Sequence, residues 1–365
     1  MIPSLAPSRP ATMRAAVLHG RQDLRLEDVQ VPRARAGELL LEVGVVGVCG
    51  TDATEWAYGP RLFPVESAHP VTGHIGPMVM GHEFSGTVVE VGEGVDSTWL
   101  GKLVASCGSA PCGTCRECVT GRSNLCRRYA AVGLHRDGAL TRYVSTPVGS
   151  CVDVGPLGLT EEEAALAQPM AIAVHSLRRA HVEPGTVAIV QGIGGIGAFL
   201  IHALVDAGAH VVAVDLTQER LDVAADLGAQ VTVRAGEPGS GDRIAAEFAH
   251  SIPVFFEVTG SDPGIQLAID IVPMGTEIVL VGIQKALRSV DLARVTVREL
   301  SLIGTNAMVR ETDFPEAARL VATRRGRWGS IAPDPLTLDR LVDEALRPMS
   351  DGAPPAIKTL VRPSR

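Results

Sequence analysis

Val187-Ala188-Ile189-Val190-Gln191-Gly192-Ile193-Gly194-Gly195-Ile196-Gly197-Ala198-Phe199-Leu200 is the stretch on which the fold turns. Its first four residues are apolar and mostly β-branched, and read as a buried strand. Gly192, Gly194 and Gly197 then spell G-x-G-x-x-G, with Gly195 and Ile196 inside the same turn, and an apolar helix follows. A lone match of this kind is weak. Here it follows a strand, opens a helix and precedes Asp215 at the end of the next strand, which makes it specific. The glycines let the backbone approach a pyrophosphate at the helix N-terminus. Asp215 is placed to accept hydrogen bonds from adenosine ribose hydroxyls and to repel a 2′-phosphate, which selects NAD. Leu216 and Thr217 offer that phosphate no cation, and Arg220 lies one helical turn on, in reach of the ribose or pyrophosphate. The plainer reading of Asp215 is a strand-end helix cap. The run Val187 to Val205 also raises the question of a membrane span. Its glycines, Gln191 and His202 divide it better into strand, turn and helix.

Outward from this stretch the alternation continues. A helix is expected over 196–207, a strand over 210–214 and a helix over 218–227. Further strands are expected at Val254–Val258, Glu277–Val281 and Leu302–Ile303. Alternation of this kind specifies an α/β fold with a doubly wound parallel sheet. Val258, Thr259, Val281 and Gly282, at the ends of the later strands, are counted with the cofactor residues. Upstream, residues 13–160 lean to β structure, with short β-branched runs between Gly/Pro turns. Thr160 and Glu163 form a capping box for a helix that Pro169 should interrupt or restart. Beyond about Thr312 the pattern changes, and Ile357-Lys358-Thr359-Leu360-Val361 reads as a strand returning to the first domain. The expected domains are 1–168, 169–311 and a return segment 312–365, with residues 1–12 a disordered extension or early start.

Two sets of residues have metal-ligand character. Cys112, Cys115, Cys118 and Cys126 give C-x2-C-x2-C-x7-C, and four thiolates on one loop can close a tetrahedron around structural Zn²⁺. An iron–sulfur cluster is the rival, because its motifs also use short gaps. Cys107 and Cys151 are left over and read as small buried residues. The second set is Cys49-Gly50-Thr51-Asp52 together with Gly81-His82-Glu83. Taken alone, a His-Glu pair is most often an ordinary polar pair. With Cys49 it supplies thiolate, imidazole and carboxylate. Asp52 is placed to hold the imidazole by its other nitrogen, and the Thr51 hydroxyl to pass on a proton from a bound alcohol.

The totals agree. The chain has 365 residues, 46% of them hydrophobic, and a formal net charge of −8, enough for two cores and without the basic face that nucleic acid or an anionic membrane requires. The one dense basic run, Arg324-Arg325-Gly326-Arg327, reads as an exposed loop. No secretory signal is apparent, and clustered cysteines suggest a reducing, cytoplasmic setting.

With all four motifs in hand, the chain resembles the zinc-containing medium-chain alcohol dehydrogenases from about Met13 to its C-terminus. The long interval between Cys49 and His82, with His69-Pro70-Val71-Thr72-Gly73 inside it, resembles the branch of butanediol, sorbitol and threonine dehydrogenases. The resemblance implies a GroES-like catalytic domain, a Rossmann NAD-binding domain, two zinc ions per chain and a homodimer or homotetramer. It implies oxidation of a small secondary alcohol, vicinal diol or polyol by hydride transfer to nicotinamide. A tailoring dehydrogenase for a sugar-like or amino-polyol intermediate is the alternative, and a catalytically impaired nucleotide-binding protein a remoter one. Two positions depart from the family. Gln168 stands where the branch usually supplies a glutamate to the metal, so its ligation is open. Thr54 stands where a histidine often relays protons, leaving water, His69 or His74 to substitute. His175 reads as a packed helix residue. Trp56, Tyr58 and Phe63 are candidates to line a substrate pocket.

Overall fold

The computed structural model describes residues 9–249, 251–284 and 286–364. Two compact units divide the chain: Met1–Cys115 with Cys126–Ala167 and Ala332–Arg365, and Arg116–Leu125 with Gln168–Ile331.

The first unit is β-rich. Its larger sheet runs in the order Cys151–Asp153, Leu103–Ser106, Glu83–Val91, Glu38–Val48, Thr359–Arg362, Leu336–Thr337, and Tyr143–Pro147 also pairs with Glu38–Val48. The long strand Glu38–Val48 is buried along almost its whole length and forms the spine. It runs antiparallel to Glu83–Val91 with Gly47 opposite Glu83, which brings its C-terminal end beside Gly81-His82-Glu83. Thr359 lies opposite Val48, so the returning strand arrives at the same place. A smaller sheet orders Asp23–Gln30, Thr12–Gly20 and Met78–Val79. The first strand starts at Thr12, and Arg9 ion-pairs with Glu90, so residues 9–12 are not the disordered extension expected of them. Residues 1–8 of that expectation lie outside the described residues.

The second unit holds the six-stranded parallel sheet, in the order Val231–Arg234, His210–Asp215, Val187–Gln191, Val254–Glu257, Glu277–Leu280, Ser301–Gly304. The chain moves outward one way from the central Val187–Gln191 and then the other. The carboxyl ends of Val187–Gln191 and Val254–Glu257 are therefore neighbours at the switch point, where α/β sheets bind ligands. The capping box is formed. Thr160 Oγ1 accepts from Glu163 N–H at 3.3 Å, and Glu163 Oε2 from Thr160 N–H at 3.1 Å. The next helix, Ala167–Arg178, carries Pro169 in its first turn, where a missing N–H costs little.

The return to the first unit comes at Ala332, later than the boundary expected at 312. Helix Asp313–Thr323 stays in the second unit, because its apolar face packs on helix Gly197–Asp206. Phe199 lies 5.5 Å from Trp328 between ring centroids, and His202 Nε2 is 3.1 Å from Leu320 O. The basic run is likewise not all loop. Arg324 is buried, with its guanidinium on Asp226 and 5.8 Å from the Trp328 ring. Among the described residues no helix is long and apolar enough to cross a membrane.

Candidate active site

The spine strand runs into Cys49, and helix Gly50–Tyr58 begins at the next residue. This helix was not legible in the sequence. Gly50 and the β-branched Thr51 and Thr54 have poor helix propensity, and what holds the first turn is a tertiary arrangement around Asp52. Asp52 Oδ2 accepts the Cys49 N–H at 2.9 Å, satisfying one of the helix's open donors. Its Oδ1 stands 3.5 Å from His82 Nδ1. One fully buried carboxylate thus ties the thiol-bearing segment to the imidazole-bearing one. Gly81 has φ +98, and a Cβ there would lie 2.9 Å from the Leu140 backbone, so only glycine delivers His82 into this position.

The ligand atoms of Cys49, His82 and Glu83 lie within 4.8 Å of one another. Burial opposes charge on His82, but the Asp52 carboxylate and the Cys49 sulfur beside it outweigh burial and raise its pKa well above the usual value. A site that stabilises a proton on its imidazole favours positive charge. Thiolate, imidazole and carboxylate are zinc donors, and Asp52 behind Nδ1 leaves Nε2 for a metal. By hydrogen-bond angles, His82 Nδ1, Asp52 Oδ1 and Glu83 Oε2 are buried polar atoms with no partner. By distance, the first two face each other and the third is ion-paired with Lys358.

Lys358 is the site residue that sequence reasoning missed. Its side chain is 5% exposed, pairs with Glu83 and donates to Val48 O at 3.0 Å. Gly47 makes the space: a Cβ there would lie 2.4 Å from Glu83 Oε2 and 2.9 Å from Lys358 Cε. The available signal was one lysine at the head of an apolar strand, because buried lysines are almost always paired.

Thr51 and Thr54 are half-buried on the helix that follows Cys49. Trp56 and Phe63 are not pocket residues: both are 3% exposed within the apolar core, because the helix turns that face inward, while Tyr58 is exposed. His69 is more than a surface-loop residue. Its ring stacks on His135 at 4.3 Å between centroids and 19° between planes. His69 Nδ1 accepts from Thr72 N–H at 3.2 Å and His135 Nδ1 from Ala131 N–H at 3.1 Å. Burial lowers the His69 pKa. Burial, with repulsion from His69 and His82, lowers that of His135 to about 4, so His135 is neutral at pH 7.

The sulfurs of Cys112, Cys115, Cys118 and Cys126 also gather within 4.8 Å. Cys115 Sγ and Cys126 Sγ are 3.8 Å apart. A tetrahedron with Zn–S of about 2.3 Å has an edge of about 3.8 Å. Cys126 Sγ accepts N–H bonds from Cys112 and Arg128, each at 3.3 Å. The N–H groups of Thr114 and Cys115 hold the Cys112 thiol down to about 6, which favours the thiolate a metal needs. The loop fits zinc.

In the second unit, Gly192 has φ +96, and a Cβ there would lie 2.8 Å from Thr259 Cγ2. A Cβ on Gly197 would lie 1.9 Å from Gly192 O, so the helix starts directly on the turn. Asp215 accepts from Ile193 N–H and Leu216 N–H, both at 2.7 Å, and from Thr217 N–H at 3.2 Å. The carboxylate therefore closes the Gly-rich turn as well as standing at a strand end. Arg234 is in register with Asp215, its Nε bonded to Leu216 O at 3.1 Å. This cation was invisible to a reading limited to the residues next to Asp215. Gln168 is buried on helix Ala167–Arg178. His175 on that helix is a packed residue, as expected, with Nδ1 2.8 Å from Asp313 Oδ2.

Comparison with known proteins identifies the family. Residues 35–156 match the family described as alcohol dehydrogenase GroES-like domain, and residues 195–323 that described as zinc-binding dehydrogenase. The chain is 32% identical to (R,R)-butanediol dehydrogenase of Bacillus subtilis (strain 168), over 96% of this chain and 100% of that one. It is 34% identical to sorbitol dehydrogenase of Gallus gallus, over 85% and 86%. The crystal structure of the 2R,3R-butanediol dehydrogenase from Bacillus subtilis superposes with a TM-score of 0.86 at 30% identity, covering 96% and 100%. The chain belongs to the zinc-binding alcohol dehydrogenase family and is an oxidoreductase. Within that family it falls in the polyol branch, with butanediol, sorbitol and threonine dehydrogenases as relatives.

Proposed function

We propose that this protein interconverts a small secondary alcohol, vicinal diol or polyol and its ketone, using NAD(H) and a zinc ion held by Cys49, His82 and Glu83. The observation that carries the reading is the Asp52 carboxylate, which joins Cys49 and His82 and orients the imidazole from behind. The relatives named for butanediol and sorbitol support the diol and polyol classes. A bound zinc ion supplies Lewis acidity that eases loss of the substrate hydroxyl proton. The Thr51 hydroxyl would relay that proton, accepting it as it gives up its own to the next acceptor. Thr54 cannot store it near neutral pH, so the onward path runs through water, His69 or His74. Asp215 supports NAD over NADP. Gln168 is the remaining candidate ligand, weaker than a carboxylate because it is uncharged.

The thiols at all seven cysteines fit a reducing cytoplasm. A homodimer or homotetramer is supported by the open edge strand Ser301–Gly304 and by exposed Ile283, Leu287, Leu292 and Val297 on the segment leading to it.

The test is an NAD⁺ reduction screen over diols, polyols and amino alcohols, with metal analysis. Cys49→Ala and His82→Ala should abolish turnover, and Gln168→Ala should cost much less. Gln168→Glu should tighten metal binding. Absence of zinc and of turnover in the wild type overturns the proposal. A folded Gln168→Ala as inactive as Cys49→Ala would make Gln168 a primary ligand.

A further inference from the structure

Glu257 has no part in the ligand sets above, yet it is fully buried at the carboxyl end of strand Val254–Glu257. It stands opposite Gln191, the residue before the Gly-rich turn, and opposite Leu280 on its other side. Both of its carboxylate oxygens and its backbone carbonyl hold a loop. Its Oε1 accepts from Thr259 N–H at 2.8 Å, from Gly260 N–H at 3.1 Å and from the Thr259 hydroxyl. Its Oε2 accepts from Gly260 N–H at 3.2 Å and from Gln284 Nε2 at 3.2 Å. Its backbone carbonyl accepts from Val281 N–H at 2.8 Å and Gly282 N–H at 2.9 Å.

The two loops so held touch without room to spare. A Cβ on Gly282 would lie 2.1 Å from Gly260 N, and one on Gly260 would lie 2.7 Å from Ile283 O. The first loop in turn presses on the Gly-rich turn, since the Thr259 methyl sits 2.8 Å from where a Gly192 Cβ would be, and Val258 N–H donates to Gln191 O at 2.9 Å. A carboxylate satisfies this many donors; a carboxamide cannot, because its NH2 is itself a donor.

We propose that Glu257 is the positioning residue of the dinucleotide site: its carboxylate locks loops 258–260 and 281–284 to each other and to the Gly192 turn. Their backbone is thereby preset at the carboxyl ends of strands Val187–Gln191, Val254–Glu257 and Glu277–Leu280, where the reading above puts the cofactor. This rests on the NAD(H) reading above. Pre-organisation of this kind acts through the ordering cost of the free loops, so its loss falls on cofactor affinity before it falls on chemistry.

The experiment uses the full-length zinc-loaded protein and NADH itself as the probe, titrated by fluorescence, with steady-state kinetics alongside. Glu257→Gln should weaken NADH binding on the order of tenfold and blue-shift or quench its bound emission less fully. The KM for NAD⁺ should rise in step, with kcat and the alcohol KM within a few-fold of wild type. Glu257→Asp should recover part of the affinity. Gln284→Ala, which removes one donor only, should give a smaller loss of the same kind, and it decides the matter where Glu257→Gln does not fold. Wild-type binding and emission in a folded Glu257→Gln, or in Gln284→Ala if that is the variant in hand, overturns the proposal. So does a loss confined to kcat. Failure of the wild type to bind NADH would instead overturn the cofactor reading on which it rests.

Discussion

Lys358 and Glu83 form a buried ion pair at the point where the returning strand meets the strand that carries His82, with the lysine also bonded to Val48 O at 3.0 Å. The carboxylate proposed as a metal ligand is thus already charge-compensated by the protein. The pair keeps a buried negative charge tolerable in the metal-free chain, and it sets how much of that charge a metal meets.

Lys358→Met should therefore destabilise the metal-free protein on the order of 3 kcal/mol, the usual cost of leaving one member of a buried pair uncompensated. A divalent metal can replace part of the lost charge, so the deficit should shrink when zinc is present. Thermal unfolding of wild type and variant with and without zinc checks this. Equal deficits in both forms would mean that Glu83 does not face the metal.

Cys115→Ser should lower zinc content by about one ion per chain and lower Tm, because a closed four-thiolate site contributes its binding free energy to folding. Activity should fall only as the folded fraction falls. Metal analysis showing full zinc content, or iron in the wild type, would contradict the assignment.

Wild type should prefer NAD(H) to NADP(H) by at least tens-fold in kcat/KM, since a carboxylate beside a 2′-phosphate costs several kcal/mol. Asp215→Gly should narrow the preference from the NADP side, because Arg234 stands in register opposite and remains as a cation. It should also weaken both cofactors, as Asp215 closes the turn through Ile193 N–H. Comparable kcat/KM for the two cofactors in the wild type would refute this.

Asp313 links stability to pH in the second unit. Burial pushes its pKa up, but the His175 ring, the Val309 N–H and the Arg178 guanidinium outweigh burial and leave it lowered. The folded value lies below the unfolded one of about 3.9. Its stabilisation is then fully present above the unfolded value and is lost as pH falls through the folded one. Asp313→Asn should cost a few kcal/mol at pH 7, and the gap to wild type should close as pH falls below about 4. Urea midpoints across pH 3 to 7 measure the gap, and a constant gap would count against the linkage.

Much of this protein was written into its local sequence. The Gly-rich turn, the alternation around it and the spacing of the four cysteines depend on residues close together in the chain, where backbone geometry and ligand reach allow few outcomes. Cys49-Gly50-Thr51-Asp52 and Gly81-His82-Glu83 were each legible as short motifs, but their meeting was not, because Cys49 and His82 lie far apart in the chain. The tertiary structure decided what depends on residues far apart meeting. It brings Lys358 to Glu83 through a strand that returns from the far end of the chain, and sets Arg234 opposite Asp215 by sheet register. It keeps Asp313–Thr323 in the second unit because an apolar helix face found its partner in helix Gly197–Asp206. It makes a helix after Cys49 whose first residues, Gly50, Thr51 and Asp52, have little propensity for one, because Asp52 finds both a backbone donor and a distant imidazole. Local propensity and motif spacing are properties of neighbours in sequence. Burial, register and charge pairing are properties of neighbours in space, and only the fold assigns those.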